Sequence, residues 1–284
     1  MLLKYLINMD RKTKIIATVG PSLSSESKIK KIIDTGANVL RINFSHGTLE
    51  DHENVISWAR KSNKQVAIMQ DIQGPKIRTG ISSENTFLEK SKNVTLTNIE
   101  TESNNDIVFI NYENLLRDVN VDDRVFIDDG QIVLKVVEKE NDKLEALILI
   151  GGELRDNQGV AFPDSNLSVS AITEKDIEHL KFGSEHDVDF VAVSFVRNAS
   201  DINLVKEIIP KDVKVIAKIE LKTALDNIDE ILDVADGVMV ARGDLGVQLP
   251  LEQVPFVQKQ ILDAANKRGK ISITATEMLQ SMKT

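Results

Sequence analysis

The chain has 284 residues, 42% hydrophobic and 28% charged, an ordinary globular balance with enough length to bury its own core. Lys and Arg number 35 and Asp and Glu 44, a formal net charge of −9 that argues against nucleic-acid binding by bulk charge while leaving room for a local anion site. The absence of cysteine excludes disulfide frameworks, thiol nucleophiles, iron–sulfur clusters and cysteine zinc sites, and an intracellular, cytoplasmic enzyme is the natural reading.

Met1–Asn8 is apolar but too short for a secretory signal, so Met9 serves equally well as a start. No apolar run approaches the roughly 20 residues of a membrane span. Thr13–Val19 reads as an apolar strand closed by Gly20-Pro21. Ile29, Ile32 and Ile33 fall at i, i+3 and i+4 and predict a helix stopped by Gly36. Asn38–Phe44 is a second strand, Val55–Ala59 lies in a second helix, and Val66–Met69 is a third strand running into Asp71 and a Gly74-Pro75 break. This order predicts right-handed βαβ units on a parallel sheet.

The rhythm changes near Ile81. Val94–Thr97, Ile107–Ile110, Arg124–Ile127, Ile132–Val137 and Leu144–Ile150 are strand-like and are separated by turn signals such as Asp129-Gly130 and Asn141-Asp142. They predict a small all-β domain over residues 75–166, inserted into an α/β domain formed by 1–74 and 167–284. Alternation then resumes. Thr173 and Asp176 form a capping-box pattern before a helix carrying Ile177 and Leu180 and ended by Gly183. Phe190–Phe195, Val213–Ile219, Gly237–Ala241 and Ile271–Ala275 are strands. Ile202–Ile209, Ile228–Val234 and Val257–Ala265 are helices between them. Seven α/β-type strands are seen, whereas a (β/α)8 barrel closes with eight. The sheet is therefore open, completed by another chain, or part of something longer.

Polar residues gather at the strand C-termini, where α/β folds place ligand sites. Arg41, Asn43 and Ser45 share one face of the second strand if it stays extended, and strand-end hydrogen bonding alone explains such a run. Asp71 ends the third strand as a helix cap or a ligand, with Arg78 after the turn. Lys218 and Glu220 share a face of the fifth strand. A lysine within an apolar strand is costly unless paired or used, and both uses stay open. Asp244 closes the sixth strand in Val-Ala-Arg-Gly-Asp. Two carboxylates on adjacent strand ends suit a hard cation such as Mg²⁺, although an Arg-Gly-Asp run is also an ordinary turn. Gly243 admits close backbone approach of an anion, and Thr276 ends the seventh strand. His46 lies within the cluster, while His179 and His186 read as surface residues of a helix and the loop after it. One Trp, two Tyr and nine Phe give no stacking platform for bases. No Walker A or Gly-x-Gly-x-x-Gly loop is present, so the ordinary nucleotide folds are disfavoured. Together the groups suit a phosphorylated carboxylate, handled by positioning and charge stabilisation.

Eight segments in order resemble the pyruvate kinase family: TKIIATVGP (13–21), NVLRINFSHG (38–47), DIQGPKIRTG (71–80), FIDDG (126–130), AVSFVR (192–197), AKIE (217–220), GVMVARGDLG (237–246) and TATEML (274–279). The resemblance implies an α/β fold: a (β/α)8 TIM barrel of the phosphoenolpyruvate/pyruvate type, incomplete here, with a small inserted β-barrel acting as a lid. It implies phosphoryl transfer from phosphoenolpyruvate to ADP, giving pyruvate and ATP in the last step of glycolysis. By resemblance Glu220 and Asp244 bind Mg²⁺ (or Mn²⁺), and Lys218 and Arg41 neutralise the phosphoryl group. The N–H groups of Gly243 and Asp244 hold the substrate carboxylate, and Thr276 lies near the enol carbon. Asn43, Phe44, Ser45, His46 and Arg78 face the nucleotide phosphates, and Asn43, Ser45, Asp71 and the Ile72 carbonyl match a monovalent-cation site.

Three departures from the family pattern stand out. Ile72 and Lys76 replace the threonine and glutamate of K⁺-dependent members, so the Lys76 ammonium is expected to stand in for K⁺. Asn157-Gln158-Gly159 replaces a basic stretch that helps hold nucleotide phosphates. The family continues well past Thr284, with an eighth βα unit and a C-terminal domain carrying effector sites and part of a usually homotetrameric interface. No nucleic-acid or membrane partner is expected. The alternatives are a metal-dependent oxo-acid lyase or aldolase on a similar barrel, and an inactive or partner-binding fragment.

Overall fold

The computed structural model describes residues 11–62 and 64–276. The candidate starts Met1 and Met9, residues 277–279 of the last family segment and the chain end at Thr284 lie outside the described residues. Seven parallel strands form one sheet in the order of the chain: β1 (Ile16–Val19), β2 (Val39–Asn43), β3 (Ala67–Asp71), β4 (Phe190–Val193), β5 (Lys214–Ile219), β6 (Gly237–Ala241) and β7 (Ile271–Ala275). The helices between them are α1 (Glu26–Asp34), α2 (Leu49–Arg60), α3 (Glu174–Glu185), α4 (Ala199–Ile208), α5 (Ile228–Val234) and α6 (Val254–Lys267), with shorter helices at Lys222–Asp226 and Arg242–Gln248. Among the described residues β1 and β7 each pair on one side only, the two open edges that a count of seven strands implies.

Strand alternation sorts the side chains into two layers. Leu40, Ile42, Ile68, Val191, Val193, Val215, Ala217 and Ile219 pack outward against the helices. Met69, Ala192, Ile216 and Met239 fill the inner face, with Ile16, Val39, Phe190, Ile273 and Ala275 around them. The helices meet the sheet through stripes such as Ile29 and Ile33 of α1, both fully buried; burial of each such side chain is worth about 1.5–3 kcal/mol. The Thr173/Asp176 capping box of α3 is present in both directions. Asp176 does more than cap: its Oδ1 accepts from the N–H groups of Gln73 and Gly74, both at 3.2 Å, and so ties the start of α3 to the exit from β3.

The inserted domain has its own core, from Leu88 to Phe162. A six-stranded sheet runs in the order 160–161, 124–127, 132–139, 144–150, 93–97, 107–109, and a second pair joins 87–88 to 152–153. The entering segment links the two edges, since Arg78 bridges to Gly159 and Thr79 to Ile110. That double contact closes the insert into a small barrel beside the segment that enters it from β3. The turns at 128–130 and 141–142 connect its hairpins, Asp128, Asp129 and Gly130 all with positive φ.

Three local readings need correction. Gly183 does not end its helix: α3 runs on to Glu185, and the glycine is there because a Cβ would lie 2.2 Å from Gln70 Oε1. The strand expected over 190–195 stops at Val193, because Phe195 takes a left-handed φ of 54°. Asp244 stands in the first turn of the short helix after β6 rather than on the strand itself.

Candidate active site

The inner-face phase of each strand, carried to its C-terminal end, delivers the polar groups. Behind Val39 come Arg41 and Asn43, behind Met69 comes Asp71, behind Ala192 comes Ser194, and behind Ile216 come Lys218 and Glu220. Parallel register then sets Asn43 opposite Asp71. Side chains far apart in sequence thus converge on one end of the sheet.

Asp71 is the hub. It is 1% exposed and takes Arg41 Nε on Oδ2 at 2.5 Å and Lys218 Nζ near Oδ1 at 3.3 Å. Arg41 also donates to Thr18 Oγ1 at 2.9 Å, which braces it from β1. Lys218 reaches Glu220 Oε1 at 2.8 Å, and Glu220 Oε2 accepts the Phe195 N–H at 2.7 Å. Burial works against a charged Lys218, but the Glu220 and Asp71 carboxylates outweigh it and push its pKa up to about 12. Burial pushes the Glu220 carboxyl up and Asp244 adds to this, against the pull of Lys218 and the Phe195 N–H.

Glu220 and Phe195 carry this cluster to the wall of a cleft of about 270 Å³ between barrel and insert. Glu220, Asp244, Phe195 and Lys222 line it from the barrel, and Phe126, Asp129 and Phe162 from the insert. Burial raises the Asp129 carboxyl, with Asp244 and Asp128 contributing, so carboxylates from both domains bear on one space. Among the described residues no group of three or more ligating side chains forms a metal cluster. Glu220, just past β5, and Asp244, in the first turn of the helix after β6, are the two carboxylates on the cleft wall that would hold a divalent cation. That number fits Mg²⁺, which keeps several waters and takes substrate oxygens for the rest of its shell. The N–H groups of Gly243 and Asp244 belong to a first helical turn, whose donors have no intrahelical acceptor.

The remaining expected residues divide. Asn43 Oδ1 accepts the Ser45 N–H at 3.0 Å, closing the turn after β2. The Ile72 carbonyl accepts the Ser194 hydroxyl at 2.7 Å. His46 is exposed beside this turn. Phe44 departs from expectation as a nucleotide-facing side chain. It follows Leu40 and Ile42 in the outward phase and is 2% exposed, packed against His52, His179 and Phe182. His179 likewise is no surface residue but a buried partner of Phe44. Arg78 donates from Nη1 to the Asn157 carbonyl at 2.6 Å, which commits part of its guanidinium to the insert. Lys76 lines the cleft with no ion pair or hydrogen bond among the described residues. Burial lowers its pKa, and nearby Arg78, Lys218 and Lys175 lower it further against Asp244. Thr276 is exposed just past β7 with φ 37°, its carbonyl taken by Arg242. Sequence reasoning assigned no role to Ser194 or Phe195, although Ser194 continues the same inner-face phase as Ala192.

Residues 10–284 match the family model of the pyruvate kinase barrel domain. A pyruvate kinase from Staphylococcus aureus (strain MRSA252) is 45% identical over 282 residues, covering 96% of this chain and 48% of that protein. One from Thermotoga maritima is 44% identical over 280 residues, covering 96% of this chain and 60% of that protein. The chain thus spans about half the length of the curated relatives it matches. It belongs to the pyruvate kinase family.

Proposed function

We propose that this site transfers the phosphoryl group of phosphoenolpyruvate to ADP, giving pyruvate and ATP. The observation that carries the reading is the buried Lys218 ammonium, held between Asp71 and Glu220, of which Glu220 lines a cleft together with Asp244 and the insert. Phosphoryl transfer asks a protein mainly for positioning and charge, and these side chains are preorganised for both. Lys218 and Arg41 are the cations for the phosphoryl oxygens. The Gly243 and Asp244 N–H groups are donors for the substrate carboxylate, with Thr276 on the enol side. Asn43, Ser45, His46, the Phe44 backbone and Arg78 lie toward the nucleotide. A divalent cation on Glu220 and Asp244 would supply further neutralisation and an anchor for substrate oxygens. The insert excludes water that would compete with ADP as acceptor.

Lys76 is proposed to replace the monovalent cation otherwise held by Asn43, Ser45, Asp71 and the Ile72 carbonyl; the support is a lysine four residues past Ile72, near enough to Lys218 and Asp244 to feel their charges, although it touches none of those four groups among the described residues. No helix among the described residues is long and apolar enough to cross a membrane, and the substrates proposed are small and diffusible. The test is pyruvate formation by this chain from phosphoenolpyruvate and ADP with Mg²⁺, with and without K⁺. Equal rates in both are expected. An absolute need for K⁺ refutes the role of Lys76, and no pyruvate in either refutes the activity for this chain.

A further inference from the structure

The Ala192–Arg197 segment, where β4 ends, has no part in the chemistry above. Ser194 is 3% exposed. Its Oγ accepts from Lys218 Nζ at 2.6 Å and donates to the Ile72 carbonyl at 2.7 Å. A serine hydroxyl carries one proton, so with that proton given to Ile72 the oxygen can only accept. It therefore accepts one N–H of Lys218 and fixes its direction, and only together with two further acceptors does it call for the three N–H groups of an ammonium. The carboxylates of Asp71 and Glu220 take the other two directions. Phe195, the next residue, adopts a left-handed φ of 54°, a costly conformation for a bulky side chain. That backbone turns its N–H onto Glu220 Oε2 at 2.7 Å. The exit from β3 packs on the same corner: a Cβ at Gly74 would lie 2.9 Å from the Phe195 ring and 3.4 Å from the Ser194 carbonyl oxygen.

We infer that the Ser194–Phe195 corner is a positioning element that sets both Lys218 and Glu220, the first through a hydroxyl and the second through a backbone N–H. Its kinetic consequence rests on the phosphoryl-transfer reading; the hold on Lys218 does not. Ser194→Ala and Ser194→Thr are compared with the unmodified chain in two measurements. Reductive methylation of Lys218, followed by peptide mass spectrometry against exposed Lys259, reads the hold itself. Ser194→Ala is expected to speed labelling of Lys218 about threefold or more, and Ser194→Thr to restore it, because a buried charge-assisted hydrogen bond is lost and regained. Kinetics read the consequence: kcat falls about 10–100-fold in Ser194→Ala with KM for ADP within about twofold, and the threonine recovers most of it.

Unchanged labelling in Ser194→Ala overturns the inference. So does an unchanged kcat, or a loss of kcat that threonine does not recover. If Ser194→Ala fails to fold, Ser194→Cys, which keeps the volume but offers only a weak acceptor, is scored by the same two measurements. If the unmodified chain makes no pyruvate, the phosphoryl-transfer reading fails by itself, and labelling alone decides the role of Ser194.

Discussion

Replacing Lys218 with methionine keeps most of the side-chain volume and removes the ammonium 2.8 Å from Glu220 Oε1 and 3.3 Å from Asp71 Oδ1. Glu220 is 2% exposed, so its carboxylate is left buried without its cation. Breaking a buried pair from one side costs about 3–5 kcal/mol, equivalent to a fall of about 5–15 °C in Tm for a domain of this size. The cost has a pH signature. Burial already raises the Glu220 carboxyl above its ordinary value of 4.5, and Lys218 is the main opposing influence. Without Lys218 the folded-state value climbs further. A carboxyl whose pKa is raised by folding is favoured protonated, so its penalty is full above the folded value and fades as pH falls toward the unfolded one. Thermal melts of both proteins at about pH 7.5 and about pH 5 should therefore show a smaller gap at the lower pH. A gap equal at both values, or below about 0.5 kcal/mol at the higher one, would refute the assignment of Lys218 as the compensating charge. In the phosphoryl-transfer assay the same variant should lose roughly 10²–10³ in turnover, the scale of one preorganised charge donor.

Asp176→Ala removes one half of the α3 capping box, the acceptor for the Thr173 N–H, together with the acceptor for the Gln73 and Gly74 N–H groups, and denaturant unfolding should show a loss of about 1–3 kcal/mol. Asp176→Asn, which keeps a carbonyl oxygen as acceptor, should lose less. Gly183→Ala would drive a Cβ into Gln70 and should cost about 1–3 kcal/mol by overpacking, but cost little in a Gln70→Ala background, since the two side chains occupy the same space. Burial lowers the pKa values of His52 and His179, and each lies against Phe44. Groups with depressed folded values keep their stability contribution above the ordinary 6.5 and lose it as pH falls below that. His52→Gln should accordingly flatten the fall of Tm between about pH 6.5 and pH 5.

The alternation of strand and helix, the change of rhythm that marks the insert, and the strand ends at which chemistry collects are all written in the amino-acid order. These are local signals: a period of two or 3.6, a capping box, a glycine turn, a lysine and a glutamate two residues apart. Phase was legible too. Continuing the alternation through Leu40 and Ile42 sends Phe44 into the outer core, and continuing it through Ala192 sends Ser194 to the site. The partners were not legible there and come from the folded chain. That Lys218 meets Asp71 and Ser194, that Arg41 braces on Thr18, that His179 lies beneath Phe44 and that Gln70 demands a glycine at 183 all depend on packing between segments tens of residues or more apart. So does the closure of the insert through Arg78 and Thr79. Periodicity fixes which way a side chain points from its own strand, whereas the group it meets is set by neighbouring strands and by the left-handed turn at Phe195, which local pattern does not encode.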